Sequence, residues 1–311
     1  MSARSDRPSL RHQFLAWGLP RWLGVTDLID EESERAGVLA KGAGWPVPFP
    51  SGLVPRFERR FELSREVLRG TVEFPSYVVT PRDVVPTRTV FYVHGGSFTA
   101  PLHPVQVRFA TRLAAELGAR VVFPDYPLAP RHTWKDSFDA LVDDAHRWRE
   151  ESPDGFFLAG DSAGGGLALA VAIGMRERGY RAADRMLLLA PWVDLTTSTP
   201  ETAEFAKADT WLKYSKLDVY AHWWAGAEED LGRPEVSPGL ADLSGLPPTL
   251  MIGGTRDLLA TGCRLLADRA LAAGWDLTYL ERPGLIHVFP LFPGIPEAER
   301  AFGISARFLA G

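Results

Sequence analysis

Short apolar runs alternate with longer amphipathic segments from about residue 57 to the end of the chain. The runs are rich in β-branched and aromatic residues, as in Thr89–Val93, and such runs are typical of buried strands. The segments between them have helical spacing and stop at glycines such as Gly118 and Gly179. This alternation predicts an α/β protein with a mostly parallel sheet, whose ligands bind at the carboxyl ends of the strands. The predicted strands are 57–61, 72–80, 89–93, 120–123, 156–159, 186–190, 249–252 and 277–280, and the predicted helices between them are 105–117, 136–150 and 167–178.

Two stretches depart from this alternation. Residues 8–40 resemble helical pieces of mixed charge, and residues 42–55 are rich in glycine and proline, which predicts a loop and a boundary between two parts of the chain. Residues 196–245 carry tryptophan and tyrosine among polar residues, including Trp211 and Trp224. Aromatic residues in that setting predict a helical insertion that covers the top of the sheet.

Composition narrows the class of protein. The chain has 311 residues, of which 46% are hydrophobic and 23% charged, as in ordinary globular proteins. Its 34 Lys and Arg against 39 Asp and Glu give a net charge of −5, which disfavours nucleic acid as a partner. The single cysteine, Cys263, excludes an intrachain disulfide and fits a reduced cytoplasm.

The N-terminal segment bears on membrane contact. Arg7 and Arg11 precede the short apolar stretch 14–17, which Gly18 and Pro20 interrupt. This stretch is too short for the apolar core of a signal peptide, and no run approaches the roughly 18 apolar residues of a membrane span. We expect a surface helix that packs on the body of the protein, with peripheral membrane contact as the alternative.

The strongest chemical signal is the motif Gly160–Asp161–Ser162–Ala163–Gly164. A predicted strand precedes the motif and a predicted helix follows it, which is the setting of a nucleophile elbow. Glycines are needed there because the turn is tight and leaves no room for side chains. The sequence therefore predicts Ser162 as a nucleophile that stands clear of the sheet.

A serine hydroxyl needs a base, and a base needs a carboxylate that orients it. In this strand–turn–helix setting the chain order is Ser, then Asp or Glu, then His, and only His222 and His287 follow Ser162 among the seven histidines. His287 follows the last predicted strand through the loop 281–286, whereas His222 lies in the aromatic insertion. We predict His287 as the base and Asp257, after the strand 249–252, as the acid, with Asp194 as the alternative acid.

The oxyanion of an acyl-transfer intermediate needs backbone N–H donors. One is expected from Ala163, the residue after the nucleophile. The others are expected from a glycine-rich loop after an earlier strand, and His94–Gly95–Gly96–Ser97–Phe98 follows the strand 89–93. We expect His94 to form a hydrogen bond that locks this loop rather than to act as a second base.

Five blocks of sequence, in order, resemble one family. They are His94-Gly-Gly-Ser-Phe, Asp125-Tyr-Pro-Leu-Ala-Pro, Gly160-Asp-Ser-Ala-Gly-Gly, Pro191-Trp-Val-Asp and Leu246-Pro-Pro-Thr-Leu. The chain resembles the hormone-sensitive-lipase-like bacterial carboxylesterases of the α/β-hydrolase fold from about residue 85 to 290. The resemblance implies an eight-stranded, mostly parallel sheet with helices on both faces. It also implies a helical cap formed by residues 1–55 and an inserted segment, 196–236, on a core of residues 56–311.

The same resemblance implies the functional residues. Ser162, Asp257 and His287 match the family's triad positions, and Gly95, Gly96 and Ala163 match its oxyanion hole. It implies hydrolysis of short- to medium-chain acyl esters of small molecules without a cofactor. Residues of the substrate pocket are expected to include Ser97, Phe98, Asp161, Trp192 and Trp211.

Three positions depart from the family pattern. Ser97 replaces a third glycine in the loop after His94, which changes the wall of the pocket. Arg131 replaces a glutamate, so a cation stands where a carboxylate would support the floor of the active site. Thr261 replaces a second acidic residue after Asp257.

Two further functions remain open. The same machinery serves lactone hydrolases, amidases and deacetylases, and the choice depends on the cap, whose aromatic residues either bind an apolar group or pack the cap on the body. Some proteins of this fold bind ligands without turnover, but in those the triad is typically broken. No spacing of histidines and carboxylates predicts a metal site, and a homodimer is compatible with the sequence.

Overall fold

A computed structural model describes residues 7–42, 45–196, 199 and 201–311. Its centre is one eight-stranded sheet in the order β1-β2-β4-β3-β5-β6-β7-β8. β2 is antiparallel to both of its neighbours, and the other adjacent strands are parallel. The sheet is therefore mostly parallel, as predicted. The strands are β1 Phe61–Arg69, β2 Glu73–Pro81, β3 Arg88–Val93, β4 Ala119–Pro124, β5 Gly155–Asp161, β6 Arg185–Leu189, β7 Thr249–Arg256 and β8 Leu277–Ile286.

Helices cover both faces of the sheet because the central strands are apolar on both faces. Along β3, Val90 and Tyr92 face one core while Phe91 and Val93 face the other, as the two-residue period of a strand requires. The α5–α6–α9 side forms one core, and the α4–α10 side forms the other. The helices are α1 Leu10–Trp22, α2 Glu31–Lys41, α3 Phe57–Arg60, α4 Pro104–Leu117, α5 Phe138–Glu150, α6 Ser162–Glu177, α7 Thr202–Phe205, α8 Tyr214–Ala225, α9 Ala260–Ala273 and α10 Pro296–Ala310.

Two strand predictions need correction at the edges of the sheet. Residues 57–60 form a helical turn, and β1 begins only at Phe61. Most side chains of β1 are exposed, so this edge strand lacks the apolar run by which buried strands are recognised. At the other edge, the predicted loop 281–286 is the end of β8. Pro283 is tolerated there because an edge strand has one row of backbone groups without partners. The other strands and the three predicted helices are confirmed, although α6 begins at Ser162 rather than at residue 167.

The N-terminal helices pack in two different places. α2 contacts α8 of the inserted segment: Trp223 Nε1 donates to Glu31 at 2.8 Å, and Lys216 Nζ lies 2.8 Å from Glu34. These contacts join α2 and α8 in a helical cap. α1 instead packs against the end of β8 and the start of α10, where Ser9 Oγ donates to Glu297 at 2.8 Å.

The exact boundaries between the cap, the inserted segment and the core stay a prediction. Residues 1–6, 43 and 44 of its N-terminal part lie outside the described residues, as do residues 197, 198 and 200 of the insertion. Within the described parts of the chain, no helix is both long enough and apolar enough to cross a membrane.

Candidate active site

Ser162 lies in a tight turn between β5 and α6. Its φ is +52°, a left-handed conformation that a side chain occupies only under constraint. A Cβ on Gly160 would lie 2.4 Å from the carbonyl oxygen of Gly164, and a Cβ on Gly164 would lie 2.2 Å from that of His94. The two glycines of the motif are therefore required because backbone fills the space beside them, that of the turn itself at Gly160 and that of the segment around His94 at Gly164.

The structure brings the three predicted triad side chains together in series. The Ser162 hydroxyl donates to His287 Nε2 at 2.9 Å, and His287 Nδ1 donates to the Asp257 carboxylate at 2.9 Å. All three side chains are buried, with Ser162 6% exposed. The strands that precede them are far apart in sequence. Because β5, β7 and β8 are parallel, their carboxyl ends lie on the same side of the sheet.

The acid and the base are each oriented by their own loops. The Asp257 Oδ1 atom accepts the amide of Leu259 at 2.9 Å, which leaves Oδ2 for the imidazole. His287 follows the last residue of β8 directly, and the next residue, Val288, has a φ of +44°. His287 is therefore held at the carboxyl end of β8, with the strand before it in the chain and a constrained turn after it.

Asp209 is a further carboxylate beside Asp257, and the sequence did not predict it. Asp209, in the inserted segment, accepts the amides of Trp211 and Leu212 at 2.9 Å each and the amide of Leu258 at 2.7 Å. It therefore ties the insertion to the loop that carries Asp257. Its only signal in the sequence is an aspartate within a polar and aromatic stretch, which does not identify these partners.

The electrostatic surroundings favour a protonated His287. Burial acts to lower the pKa of His287, but the nearby carboxylates of Asp257, Asp209 and Asp161 outweigh it and raise the pKa above the ordinary 6.5. Paired charges stabilise an imidazolium in a site from which water is excluded. The arrangement thus stabilises the positively charged form of the His287 ring.

Among the residues that the structure describes, backbone amides without a protein acceptor occur in the loop after β3 and at the residue that follows Ser162. In the described chain, the amides of Gly96, Ser97 and Ala163 donate to no protein group. The prediction for Gly95 is wrong, because its amide already donates to the Asp161 carboxylate at 3.1 Å. Within this loop, the amide of Ser97 has no protein acceptor among the described residues and replaces that of Gly95 as the candidate donor.

The position of Asp161 is a second correction. Its side chain does not line a substrate pocket but lies 2% exposed behind the loop 94–98. It accepts hydrogen bonds from Tyr92 Oη at 2.8 Å and from Gln106 Nε2 at 2.9 Å, besides the amide of Gly95. Burial raises the pKa of Asp161, although these donors oppose the rise. Tyr92 and Gln106 were not predicted, since neither residue belongs to a motif.

His94 locks its loop as expected. Its Nδ1 atom is 2.9 Å from the Gly95 carbonyl, and its ring stacks on Tyr126 with centroids 4.4 Å apart. The Tyr126 hydroxyl in turn donates to the His94 carbonyl at 2.8 Å. Burial lowers the pKa of His94 to about 4 and raises that of the neighbouring Asp125 to about 7, so His94 is neutral at neutral pH.

The remaining predicted pocket residues are close to the site but largely packed. Phe98 lies 2% exposed and stacks flat on Trp224 of the insertion at 4.3 Å. Trp192 tilts against Phe98 at 5.7 Å, and Trp211 lies beside the His287 ring at 5.7 Å. These aromatic residues therefore pack the insertion onto the body, and Trp211 also covers His287.

The departures from the family pattern have visible consequences. Ser97 has a φ of +52°, a left-handed conformation that costs a serine about 1 kcal/mol more than a glycine. Thr261 bonds Thr202 of α7 through their hydroxyls at 3.1 Å, so it links α9 to the insertion. Arg131 is exposed and lines a cavity of ≈ 250 Å³ between α2 and the loops after β3 and β4.

The alternative residues lie elsewhere or contact other groups. His222 is exposed and bonds Glu228 at 3.0 Å. Asp194 accepts the amide of Thr196 at 2.9 Å, whereas the carboxylate that contacts His287 is Asp257. The Cys263 thiol is buried, and burial raises its pKa well above the ordinary value of 9. No group of three metal-ligating side chains occurs among the residues that the structure describes.

A hydroxyl, an imidazole and a carboxylate in series at the carboxyl edge of such a sheet define the class of α/β serine hydrolases. The family model described as the alpha/beta hydrolase fold matches residues 90–291, which is more than half of the chain. The chain therefore belongs to the α/β-hydrolase family, in its hormone-sensitive-lipase-like branch of carboxylesterases.

Individual proteins agree with this assignment. An acetyl-hydrolase of Streptomyces hygroscopicus is 32% identical over 71% of this chain and 75% of its own. The carboxylesterase/phospholipase LipF of Mycobacterium tuberculosis is 29% identical over 85% of this chain and 74% of its own. A crystal structure of an esterase from the bacterial hormone-sensitive lipase family superimposes with a TM-score of 0.80 at 25% identity, covering 98% of this chain and 99% of that one. The chain is thus an esterase of the serine hydrolase class.

Proposed function

We propose that the protein hydrolyses short- to medium-chain carboxylic esters through an acyl-enzyme formed on Ser162. The observation that carries the proposal is the continuous hydrogen-bond series Ser162–His287–Asp257, with both links at 2.9 Å. That length lies within the hydrogen-bond reach required of a nucleophile and its base.

The reaction follows from this geometry. Ser162 Oγ attacks the ester carbonyl while His287 Nε2 takes its proton, and the amides of Gly96, Ser97 and Ala163 stabilise the oxyanion. The imidazolium gives the proton to the departing alkoxide, which leaves as the alcohol. Water then attacks the acyl-enzyme by the same route and releases the acid. Asp257 holds the His287 tautomer and stabilises the imidazolium throughout.

Substrate size is inferred from the space near the loop 94–98. The cavity of ≈ 250 Å³ is lined by Thr99 of that loop region together with Val38, Leu128 and Trp45. Ligand pockets usually enclose about 300 Å³ or more, so this cavity fits a small group, with Arg131 and His132 beside the apolar part of its lining. We infer that it receives the acyl or alcohol part of the ester, which favours short chains.

A deacetylase is the second candidate. The name of the Streptomyces relative, an acetyl-hydrolase, and the small cavity both favour an acetyl group. Lactone and amide hydrolysis would use the same three residues, whereas the intact series of hydrogen bonds argues against a protein that only binds ligands.

The test compares the protein with Ser162→Ala on p-nitrophenyl esters from acetate to decanoate. We expect turnover to be highest with short or medium chains and to fall by about 10⁴-fold or more in the variant. Ser64→Ala, on the exposed edge strand β1, is the matched control and should retain full activity. Near-complete activity in folded Ser162→Ala would contradict the proposal, and high activity on amides with none on esters would replace it by an amidase.

A further inference from the structure

α1 presents an unusually apolar face to solvent. Leu10, Phe14 and Trp17 follow one another at helical spacing on the outer side of the helix, and they are 82%, 61% and 56% exposed. Trp22 and Leu23 extend this face at the end of the helix and are also more than half exposed. Large aromatic residues normally lose most of this exposure in a folded chain, so a group of them on one helix marks a contact surface.

The aromatic rings of this face pack against one another rather than into the protein. The Phe14 ring lies 5.9 Å from the Trp17 ring and 5.7 Å from the Trp22 ring. The Trp22 ring covers Gly18, where an added Cβ would lie 2.4 Å from it. The face is therefore an organised cluster on the surface, which we call the α1 aromatic face: Leu10, Phe14, Trp17, Trp22 and Leu23.

Charge distinguishes this face from the rest of the chain. Between residues 7 and 26 there are three arginines and no acidic residue, although the whole chain carries a net charge of −5. Arg11 and Arg21 are exposed on α1 itself. The Arg21 guanidinium lies over the Trp17 ring at 4.5 Å. Positive charge thus borders the aromatic rings directly.

The opposite side of α1 is firmly attached to the body. Ala16 and Leu19 are buried, and Glu297 of α10 accepts from the backbone and the hydroxyl of Ser9. His12 is fully buried, and its Nε2 atom accepts the amide of Ile286 at 3.1 Å. Because the helix is already folded and held, a partner that binds its outer face would not have to order it first.

We propose that the α1 aromatic face docks the protein on the surface of a lipid membrane that contains anionic lipids. Tryptophan and phenylalanine on one side of a helix, with arginine alongside and no acidic residue, are the features of helices that lie in a membrane interface. The arginines fit anionic headgroups, and the aromatic rings fit the boundary between headgroups and acyl chains. This role is independent of the esterase reaction.

The experiment measures flotation of the purified protein with vesicles of phosphatidylcholine, with and without phosphatidylglycerol. The apolar variant is Phe14→Ser with Trp17→Ser. Its matched control is Val85→Ser with Leu271→Ser, two exposed apolar residues far from α1 in the sequence. The charge variant is Arg11→Gln with Arg21→Gln. Circular dichroism and turnover of a soluble ester establish that each variant is folded.

Binding should be at least tenfold tighter to the anionic vesicles and should weaken as ionic strength rises. The apolar variant should lose about tenfold or more in affinity, and each arginine removed about fivefold. The control variant should bind like the parent protein. Ser162→Ala should bind the vesicles as tightly as the parent protein does, so loss of the esterase reaction is distinguishable from loss of docking.

Three results would overturn the proposal. The parent protein would fail to float with anionic vesicles, or the folded apolar variant would bind as tightly as its control. Alternatively, the parent would be a dimer in solution that Phe14→Ser with Trp17→Ser converts to a monomer. That last result would assign the α1 aromatic face to a second copy of this chain.

Discussion

Tyr92→Phe tests the buried network behind the loop 94–98 by removing one oxygen atom. The Tyr92 hydroxyl donates to Asp161 Oδ1 at 2.8 Å, and both side chains are almost completely buried. Phenylalanine fills the same space, so the change removes a hydrogen bond without opening a large cavity. Asp161 would keep its donors Gln106 and Gly95, and the loop should stay in place.

The expected loss follows from the charge on the acceptor. A hydrogen bond to a charged group contributes about 1.5–3 kcal/mol to stability, against about 0.5–1.5 kcal/mol for a neutral pair. Because two donors remain on Asp161, we expect Tyr92→Phe to lower the free energy of unfolding by about 2 kcal/mol. Tyr77→Phe is the matched control, since the Tyr77 hydroxyl donates to the neutral Val47 carbonyl at 3.1 Å. It should cost about 1 kcal/mol or less.

Urea unfolding of both variants measures these differences, and ester turnover shows whether the loop still supports catalysis. The turnover number of Tyr92→Phe should fall by less than about tenfold, because the amides of Gly96, Ser97 and Ala163 are not part of the network. A loss of stability no larger than that of Tyr77→Phe would refute the reasoning, because Asp161 would then not act as a charged acceptor.

Two further predictions concern the pH profile and two glycines inside helices, Gly166 of α6 and Gly262 of α9. Activity requires neutral His287, so kcat/KM should rise with pH through a pKa above 6.5. Asp257→Asn removes the carboxylate that raises this pKa, so it should move the rise to lower pH and reduce activity by about 10⁴-fold. A rise at the same pH in the variant would exclude His287 as the titrating group. Gly166→Ala should prevent folding or destabilise the protein by several kcal/mol, since the new Cβ would lie 1.9 Å from a backbone oxygen. Gly262→Ala is the control, since the nearest atom to its new Cβ would lie at 3.6 Å, and it should be neutral or stabilise the protein by up to about 1 kcal/mol. Urea unfolding compares the two variants, and equal unfolding midpoints would contradict the packing argument.

The central strands and the order of the candidate triad could be predicted because the signal for each strand and each triad residue lies within a short stretch of sequence. A buried strand such as β3 is apolar along its whole length, and Ser162, Asp257 and His287 each follow a strand directly or by a short turn. β1 could not be placed correctly, since an exposed edge strand lacks an apolar run. The end of β8 was missed for a related reason, because Pro283 and Gly284 normally indicate a turn.

The errors within the site arise from contacts between distant segments. Gly95 has the composition of an oxyanion donor, but its amide is occupied by Asp161, which lies 66 residues further along the chain. Nothing near Gln106 in the sequence indicates that its side chain also reaches this carboxylate. Asp209 contacts the Asp257 loop only because the insertion folds over the sheet. Such hydrogen bonds depend on three-dimensional packing, which motif spacing does not record.

Labelling of the native protein with a fluorophosphonate, followed by peptide mass spectrometry, tests the central claim most directly. The reagent reacts with a serine only when its hydroxyl is activated by a base and faces an oxyanion site. We predict one adduct per chain, on Ser162, and none after His287→Ala. Absence of an adduct in the folded parent protein, or an adduct on a different serine, would contradict the assignment of Ser162, His287 and Asp257 as the catalytic triad.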